Sequence, residues 1–136
     1  MRVKLDEGAF KPTRAHSTDA GLDLYSTRDA WIRAGGNEVF HTGVHIELPP
    51  GTAGLIVSKS GLNTRHSITS TGLIDEGYTG EIVVKLYNHG YHDFHVQRGD
   101  KISQLVLIDI WYDRVDVVDE IAGGERGEDG FGSTGR

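Results

Sequence analysis

The glycine-rich segment 126–136 brings together groups that suit a ligand carrying phosphate. Arg126 supplies a planar cation, Ser133 and Thr134 supply hydroxyl groups, and the glycines leave backbone N–H groups uncovered. Phe131 adds a flat face that can cover a base. Disorder is nonetheless the commonest fate of a glycine-rich terminus. Composition alone therefore leaves two interpretations open: a disordered tail, or an arm that closes over an anion.

Two further places combine charge with an unusual setting. Lys59, Ser60 and Gly61 follow a predicted strand and open a predicted short helix, where a cation and a hydroxyl group can bind an anion. An ordinary serine cap of that helix explains the same residues equally well. Asp23 interrupts an apolar strand-like run, where aspartate is disfavoured. A functional carboxylate and a turn aspartate bonded to the backbone both fit this position.

A third place is the run from Ile74 to Gly80, which contains a carboxylate and a phenol. The pattern predicts a β-hairpin with Asp75 and Tyr78 near its tip. The plain alternative is a turn aspartate beside a packing tyrosine.

The elements that must position these residues are predicted to be strands. Period-2 patterns rich in β-branched residues occur over residues 44–48, 82–87 and 115–117. The even-numbered residues 102–110 are expected to share one face that includes Gln104. Glycine and proline separate these runs. The pattern predicts an all-β domain, a distorted barrel or jelly-roll-like sandwich with one short helix at most. We expect that domain to span 1–125 and to be followed by a flexible arm at 126–136.

Composition narrows the classes of function. The formal net charge is −6, which argues against non-specific binding to nucleic acid or to an anionic membrane. The chain has no cysteine, so disulfides and thiolate chemistry are excluded. Residues 1–5 contain no apolar signal segment, and no apolar run approaches membrane-spanning length. We therefore expect a cytoplasmic protein.

Five segments, taken in order, resemble the five motifs of the trimeric deoxyuridine triphosphatases (dUTPases), which convert dUTP to dUMP and pyrophosphate. Each segment alone is a weak signal, but five in the family's order over nearly the whole chain are specific. The segments are DAGLDL (19–24), SKSGL (58–62), GLIDEGYTGEI (72–82), RGDKISQL (98–105) and RGEDGFGSTG (126–135).

The resemblance implies a role for each matching residue. Asp75 is the expected base for the attacking water, and Tyr78 is expected beneath the deoxyribose, where it leaves no room for a 2′-hydroxyl group. The backbone between Leu73 and Val83 is expected to read the uracil. The full set of expected substrate-binding residues is Lys59, Ser60, Gly61, Thr69, Leu73, Tyr78, Ile82, Val83, Gln104, Arg126, Phe131, Gly132, Ser133 and Thr134.

The resemblance also implies a cofactor and an assembly. Mg²⁺ is expected on the three phosphates, with Asp23 reaching it through water, and the family forms homotrimers with shared active sites. Two positions depart from the family pattern. Lys59 replaces an arginine and so keeps the charge but loses the fork-shaped guanidinium. Thr69 stands where the family has an asparagine on the uracil side.

Other functions fit parts of the sequence. A deoxycytidine triphosphate deaminase has a similar third motif but needs a glutamate where this chain has Lys85, which cannot accept a proton. A nucleotide-binding regulatory module on the same fold also remains open. His89, His92 and His95 recur every third residue, which does not suit a metal site on a strand. The tripeptide 98–100 resembles an integrin ligand but is expected to form a turn.

Overall fold

The computed structural model describes residues 1–132 and 134–135. Within that part of the chain, strands dominate and one short helix occurs, so the predicted all-β class and the predicted helix are confirmed. The elements in chain order are β1 (Arg2–Leu5), β2 (Gly21–Tyr25), β3 (Ala30–Ile32), β4 (Asn37–Glu47), β5 (Thr52–Val57), α1 (Ser60–His66), β6 (Ile68–Thr69), β7 (Thr71–Ile74), β8 (Glu81–Asn88), β9 (Phe94–Val96) and β10 (Lys101–Asp109).

Two four-stranded antiparallel sheets enclose the core. Their strand orders are β1-β4-β8-β6 and β2-β10-β5-β7, and β3 pairs with β9 in a small third sheet. The sheets do not close into a true barrel, which fits the distorted form that was expected. On β8 the predicted alternation is confirmed, because Ile82, Val84 and Leu86 are fully buried whereas Val83 and Lys85 are exposed.

The segment between β7 and β8 is a crossing loop (residues 75–80), and the predicted β-hairpin is wrong. β7 pairs with β5 in one sheet, whereas β8 pairs with β4 and β6 in the other. Ile74 packs against the core from the sheet that contains β7, and Ile82 packs against it from the sheet that contains β8. Two apolar strands joined by a glycine-containing loop fit a hairpin and a crossing equally well. The choice between them is made by strand pairing with distant residues.

A β-bulge changes the faces of β10. The register of β10 against β2 shifts between Lys101 and Ser103. The core consequently receives both Ile102 and Leu105, which are three residues apart. The expectation that the even-numbered residues 102–110 share one face is therefore wrong, since the bulge reverses the alternation.

The chain after β10 runs without regular structure, and the strand expected at 115–117 is absent from the described residues. Val115 and Val117 are 88% and 97% exposed, and Trp111 and Ile121 are also exposed. An extended segment becomes a strand only when an adjacent edge satisfies its backbone groups. Ile110 still donates its amide to the Gly51 carbonyl, but within this single chain no described segment forms backbone hydrogen bonds with residues 111–122. Over the described residues, no helix is long and apolar enough to cross a membrane.

Candidate active site

Asp23 is the centre of a buried ionic cluster. Its side chain is only 5% exposed, and Lys59 Nζ lies 2.5 Å from its Oδ1 atom. Lys101 Nζ lies 2.7 Å from the other oxygen, Oδ2. Gln104 Nε2 is 3.4 Å from Oδ1, a long and weak contact. We call these four residues the Asp23 cluster. The structure thus brings together Asp23, Lys59 and Gln104, which sequence motifs far apart in the chain had singled out.

Strand order explains how the cluster forms. β10 lies between β2 and β5, and Gln104 is the register partner of both Asp23 and Val57. Lys59 follows β5 by two residues and so extends over the same place. The bulge in β10 allows Lys101 to face Asp23 together with Gln104. In a regular strand, residues three positions apart point to opposite faces.

A buried serine network holds the backbone that leads into Lys59. The Ser103 hydroxyl group donates to the Val57 carbonyl at 2.8 Å and contacts the Ser70 hydroxyl at 2.7 Å. The Ser70 amide in turn donates to the Ser58 hydroxyl at 2.9 Å. These bonds join β10, the β6–β7 turn and the end of β5. The position of Lys59 is therefore supported by three elements.

Helix α1 begins directly after this support. Lys59 is extended, the helix starts at Ser60, and no side chain caps it. The interpretation of Ser60 as an ordinary cap is therefore wrong. Ser60 and Gly61 are exposed beside the cluster's lysine and remain accessible to a ligand.

The charge state of the Asp23 cluster follows from its contacts. Burial disfavours the charged carboxylate, but hydrogen bonds from Lys101 and Lys59 outweigh burial and hold the pKa of Asp23 below its ordinary value. The same carboxylate raises the pKa of Lys101. One carboxylate and two ammonium groups leave the cluster with a net positive charge at neutral pH. The arrangement therefore suits a polyanionic ligand.

The crossing loop carries the second group of predicted residues. Asp75 is exposed, and within the described residues its carboxylate makes no ion pair. The Tyr78 hydroxyl group donates to the Glu81 carbonyl at 2.9 Å. A Cβ atom at Gly80 would lie 2.4 Å from Tyr78 Oη, so only glycine fits beneath the ring in this position. An open cavity of about 250 Å³ is lined by Leu73, Ile74, Asp75, Tyr78, Glu81 and Val83.

Strand β4 anchors one side of the crossing loop. Glu81 Oε1 accepts a hydrogen bond from the Gly43 amide at 2.7 Å, and Glu81 Oε2 lies 2.7 Å from His41 Nδ1. His45 Nδ1 lies 3.1 Å from the Thr79 carbonyl oxygen. Sequence reasoning missed these histidines, because their partners are distant in the chain.

The other side of the loop is anchored by Glu76. Its Oε2 atom accepts hydrogen bonds from the Tyr112 hydroxyl group at 2.6 Å and from the Gly51 amide at 3.0 Å. The bond from Tyr112 and the bond from Gly51 lower the pKa of Glu76, which therefore remains an acceptor at neutral pH. The loop that carries Asp75 and Tyr78 is thus held from both ends.

Three predicted uracil-side positions are placed differently from one another. Val83 is exposed and lines the cavity, whereas the Ile82 side chain is fully buried in the core. The Ile82 carbonyl already accepts a hydrogen bond from the Thr42 hydroxyl group at 2.6 Å. The Thr69 hydroxyl lies 2.8 Å from His89 Nε2. One of the two lone pairs of the Ile82 carbonyl is therefore used within the chain, and the Thr69 hydroxyl group also has a partner there.

The glycine-rich segment is not brought to the cavity. Arg126 donates to the Gly130 carbonyl at 3.0 Å, and the other hydrogen bonds of its described residues also join the segment to itself or to Gly124. Phe131 is fully exposed, and Gly132 and Thr134 are exposed as well. Ser133 lies outside the described residues.

A protein cage for a metal ion is absent from the described residues, since no three His, Cys, Asp or Glu side chains group together there. His89 contacts Thr69, and His95 stacks on Trp31 with ring centroids 4.5 Å apart. Asp23 is the one carboxylate of its cluster, and lysines contact both of its oxygens. This donor set fits an ion that is carried mainly by phosphate and water, such as Mg²⁺.

Comparisons with known proteins agree with these features. The dUTPase family model matches residues 8–135. A deoxyuridine 5'-triphosphate nucleotidohydrolase of Clostridium acetobutylicum is 45% identical over 97% of this chain and 93% of that relative. A protein of the same name from Gloeothece citriformis is 45% identical over 98% of this chain and 94% of its own length.

Solved structures give the same result. The dUTPase of Staphylococcus bacteriophage 80alpha with dUPNHPP superposes with a TM-score of 0.93 at 30% identity, over 99% of this chain and 98% of that chain. A variant dUTPase from phage phi11 of S. aureus, described with a structural Mg(II) ion, gives a TM-score of 0.81 at 28% identity, over 88% of this chain and 96% of that chain.

Proposed function

This chain belongs to the dUTPase family, and from that premise we propose that it hydrolyses dUTP to dUMP and pyrophosphate. The observation that carries the proposal is Asp75, an exposed carboxylate on the cavity that Tyr78 also lines. The reaction would keep uracil out of DNA and supply dUMP for thymidylate synthesis. A nucleotide substrate of this kind also favours a cytoplasmic location.

Asp75 acts in this proposal as the general base. Its carboxylate takes a proton from a water molecule while the water oxygen forms a bond to the α-phosphorus. The bond between the α-phosphorus and the bridging oxygen breaks, and pyrophosphate leaves with the electron pair. The anchors of the crossing loop, through Glu76 and Glu81, fix the direction of this carboxylate.

The Asp23 cluster supports the phosphate subsite. Lys59 and Gln104 contact the triphosphate in this proposal, and we add Lys101, which lies on the same side of Asp23 as Gln104. Ser60 and Gly61 offer a hydroxyl group and an uncovered amide beside Lys59. Lysine at position 59 contributes charge without the two parallel hydrogen bonds that an arginine would make.

The cavity beside Tyr78 supports the nucleoside subsite. The Tyr78 ring lies beneath the deoxyribose in this proposal, and the backbone from Leu73 to Val83 reads the uracil edge. Thr69 contributes on the uracil side, although its hydroxyl group must share its bond with His89.

The glycine-rich segment closes the site when substrate is bound. Arg126, Ser133 and Thr134 hold the far phosphates, while Phe131 covers the uracil and Gly132 allows the backbone to turn between them. The exposure of Phe131 in the ligand-free chain supports this proposal, because its ring is available to stack on a base. Closure would exclude water other than the attacking molecule.

Mg²⁺ fits the phosphate subsite as a companion of the triphosphate. Asp23 would contact the ion through water, because both carboxylate oxygens already accept hydrogen bonds from lysines. When bound, the ion would neutralise charge on the phosphates and on the leaving pyrophosphate.

A homotrimer with shared active sites is the proposed assembly. The apolar residues of 110–121 support it, since this segment exposes Trp111, Val115, Val117 and Ile121. Such a large apolar surface favours cover by another copy of the chain. Light scattering tests the assembly, and an active species of 14.9 kDa would contradict it.

The test of the function is product analysis on a panel of dUTP, UTP, dTTP and dCTP, with Mg²⁺ and with chelator. We expect dUMP and pyrophosphate from dUTP in the presence of Mg²⁺. Ammonia release from dCTP would instead indicate deamination, and binding of dUTP without turnover would indicate a regulatory module. Lys85 disfavours deamination, because a cation cannot serve as the base.

A further inference from the structure

Both ring nitrogens of His45 face oxygen atoms that accept hydrogen bonds. Nδ1 lies 3.1 Å from the Thr79 carbonyl oxygen, and Nε2 lies 3.0 Å from Asp6 Oδ2. A carbonyl oxygen only accepts, and the hydrogen bond from His45 lowers the pKa of Asp6, so its carboxylate also only accepts at neutral pH. A neutral imidazole has one N–H group and can satisfy one of these partners. Both bonds form together only when His45 is the cation.

Asp6 is held in place independently of its carboxylate. Its amide donates to the Gly43 carbonyl at 2.8 Å, at the bend in β4 just before His45. Gly43 has a φ of +66°, and a Cβ atom there would lie 2.7 Å from the Ala9 side chain. The chain around Asp6 therefore packs closely on this bend. A change at the Asp6 carboxyl group leaves its backbone anchor intact.

The other partner of His45 is part of the crossing loop. Thr79 lies between Tyr78, the residue proposed to face the sugar, and Gly80, the residue that Tyr78 covers. His45 is also the register partner of Glu81, where β8 begins. A hydrogen bond to the Thr79 carbonyl therefore restrains the backbone next to the Tyr78 ring.

We propose that protonated His45 is a positioning residue for the nucleoside subsite: by holding the Thr79 carbonyl it fixes Tyr78 for the sugar, and substrate affinity falls when His45 loses its proton. The identity of the substrate in this statement rests on the function proposed above. The restraint on the loop does not, because it is a property of the ligand-free chain.

The charges around His45 set the direction of its titration. The hydrogen bond with Asp6, followed by the bond to the Thr79 carbonyl, raises the pKa of His45 above its ordinary value, against partial burial and the repulsion of Lys4. Lys4 lies opposite His45 on β1, with its Nζ atom 3.6 Å from Asp6 Oδ1. The two carboxylate oxygens of Glu81 on β8 already have partners, since Oε1 accepts from the Gly43 amide and Oε2 contacts His41 Nδ1.

One more charged pair lies on the same side of the strand. Arg2 on β1 binds Glu47 on β4 at 2.5 Å, and both line the cavity of about 390 Å³ that His45 borders. The charges of Arg2 and Glu47 cancel each other, so Asp6 remains the acidic residue that His45 contacts. When His45 loses one proton, the other stays on Nε2, because a bond to the Asp6 carboxylate is stronger than a bond to the neutral Thr79 carbonyl. Because the pKa of His45 is raised, the restraint on Thr79 is complete below the ordinary histidine pKa and is lost as pH rises through the higher value in the folded protein.

Three variants test the proposal. His45→Gln removes the titrating cation. Asp6→Asn keeps the backbone anchor but removes the negative charge that helps to raise the histidine pKa. His92→Gln is the matched control, because His92 is an exposed histidine outside both proposed subsites. For each protein, KM and kcat for dUTP are measured from pH 6 to 9, beside a thermal melt. The ligand-free proteins are titrated in parallel by following the NMR shifts of the amides of residues 78–80.

In the native protein and in His92→Gln, KM for dUTP should rise with pH as His45 loses its proton, and we call this rise the KM limb. Titration of the triphosphate itself affects both proteins equally. His45→Gln should raise KM at pH 6 about three- to tenfold, which is the effect of losing about one hydrogen bond. The KM limb should be absent from this variant. Asp6→Asn should move the limb to lower pH. In each case kcat should change less than KM.

The loop amides should titrate with the same midpoint in the native protein and not in His45→Gln. If the amides titrate in this way but no dUMP forms at any pH, the proposed function is wrong and the restraint stands. If the KM limb persists in His45→Gln, or the amides of the native protein do not titrate, the positioning role is wrong. If His45→Gln does not fold, an unmoved limb in Asp6→Asn overturns the proposal.

Discussion

Lys101 Nζ lies 2.7 Å from Asp23 Oδ2, on the opposite carboxylate oxygen from the one that Lys59 holds. This contact exists because the β10 bulge turns Lys101 to the face that Gln104 also occupies. Each oxygen of the Asp23 carboxylate thus binds one lysine ammonium group and holds it at a defined distance. Lys101 is consequently nearly as close to Asp23 as Lys59 is, which is the basis for adding it to the proposed phosphate subsite.

Replacing Lys101 with alanine should lower kcat/KM for dUTP by about 10- to 100-fold, the range for losing a charged hydrogen-bond donor. The melting temperature should also fall, because the Asp23 side chain is only 5% exposed and would keep Lys59 as its one ionic partner in the cluster. Steady-state kinetics and a thermal melt measure both effects. Lys85→Ala is the matched control, since Lys85 is exposed and lies over the Tyr87 ring. Equal kcat/KM in the two variants would place Lys101 outside the phosphate subsite.

Replacing Asp75 with asparagine should lower kcat by about 10²- to 10⁴-fold, because the amide cannot accept the proton of the attacking water. KM and the melting temperature should remain close to those of the native protein, since Asp75 is exposed. Asp109→Asn, an exposed carboxylate at the end of β10, serves as control. Native kcat in Asp75→Asn would assign the base to another group.

Gly80→Ala should weaken the preference for dUTP over UTP, although residue 80 is not expected to contact the sugar. The new Cβ atom would clash with the hydroxyl group and the ring of Tyr78 and displace the side chain. The preference for dUTP over UTP should therefore narrow by about tenfold or more in Gly80→Ala and in Tyr78→Ala. Tyr78→Phe keeps the ring and should keep the preference. The measurement is kcat/KM for both nucleotides, and unchanged selectivity in Tyr78→Ala would remove this residue from sugar recognition.

Stability in acid should depend on Asp23. Its pKa is lowered in the folded chain, so its ionic contacts stabilise the protein above the ordinary value of 3.8 and are lost as pH falls through the lower folded-state pKa. Asp23→Asn should melt below the native protein at neutral pH, because two lysines lose their partner. The difference in melting temperature should shrink as pH falls below 3.8. A constant difference from pH 7 to pH 3 would contradict this account.

The features that were predictable from sequence depend on local pattern. The alternation on β8 identified its buried face, and the residues around Ser60 identified the helix. The motifs also selected Asp23, Lys59 and Gln104, which the fold brings together.

The features that were missed depend on contacts between distant residues. The sequence predicts a hairpin where the structure has the crossing loop, because only the pairing of β7 with β5 distinguishes the two. Lys101 was missed because a bulge is not visible in residue types. His45 was missed because its partners, Asp6 and Thr79, are 39 and 34 residues away. The strand expected at 115–117 requires a strand edge that the described part of the single chain does not provide.

The Asp23 carboxylate already binds the ammonium groups of Lys59 and Lys101, so an anionic ligand must compete with it for them. A ligand with one or two negative charges gains little from lysines that already have a partner. A triphosphate carries enough charge to attract both ammonium groups while the carboxylate stays in place. The cluster should therefore discriminate by ligand charge, retaining dUTP and releasing dUMP. Calorimetry can measure the ratio of the two affinities, which should fall in Asp23→Asn. An unchanged ratio would show that product release is controlled elsewhere.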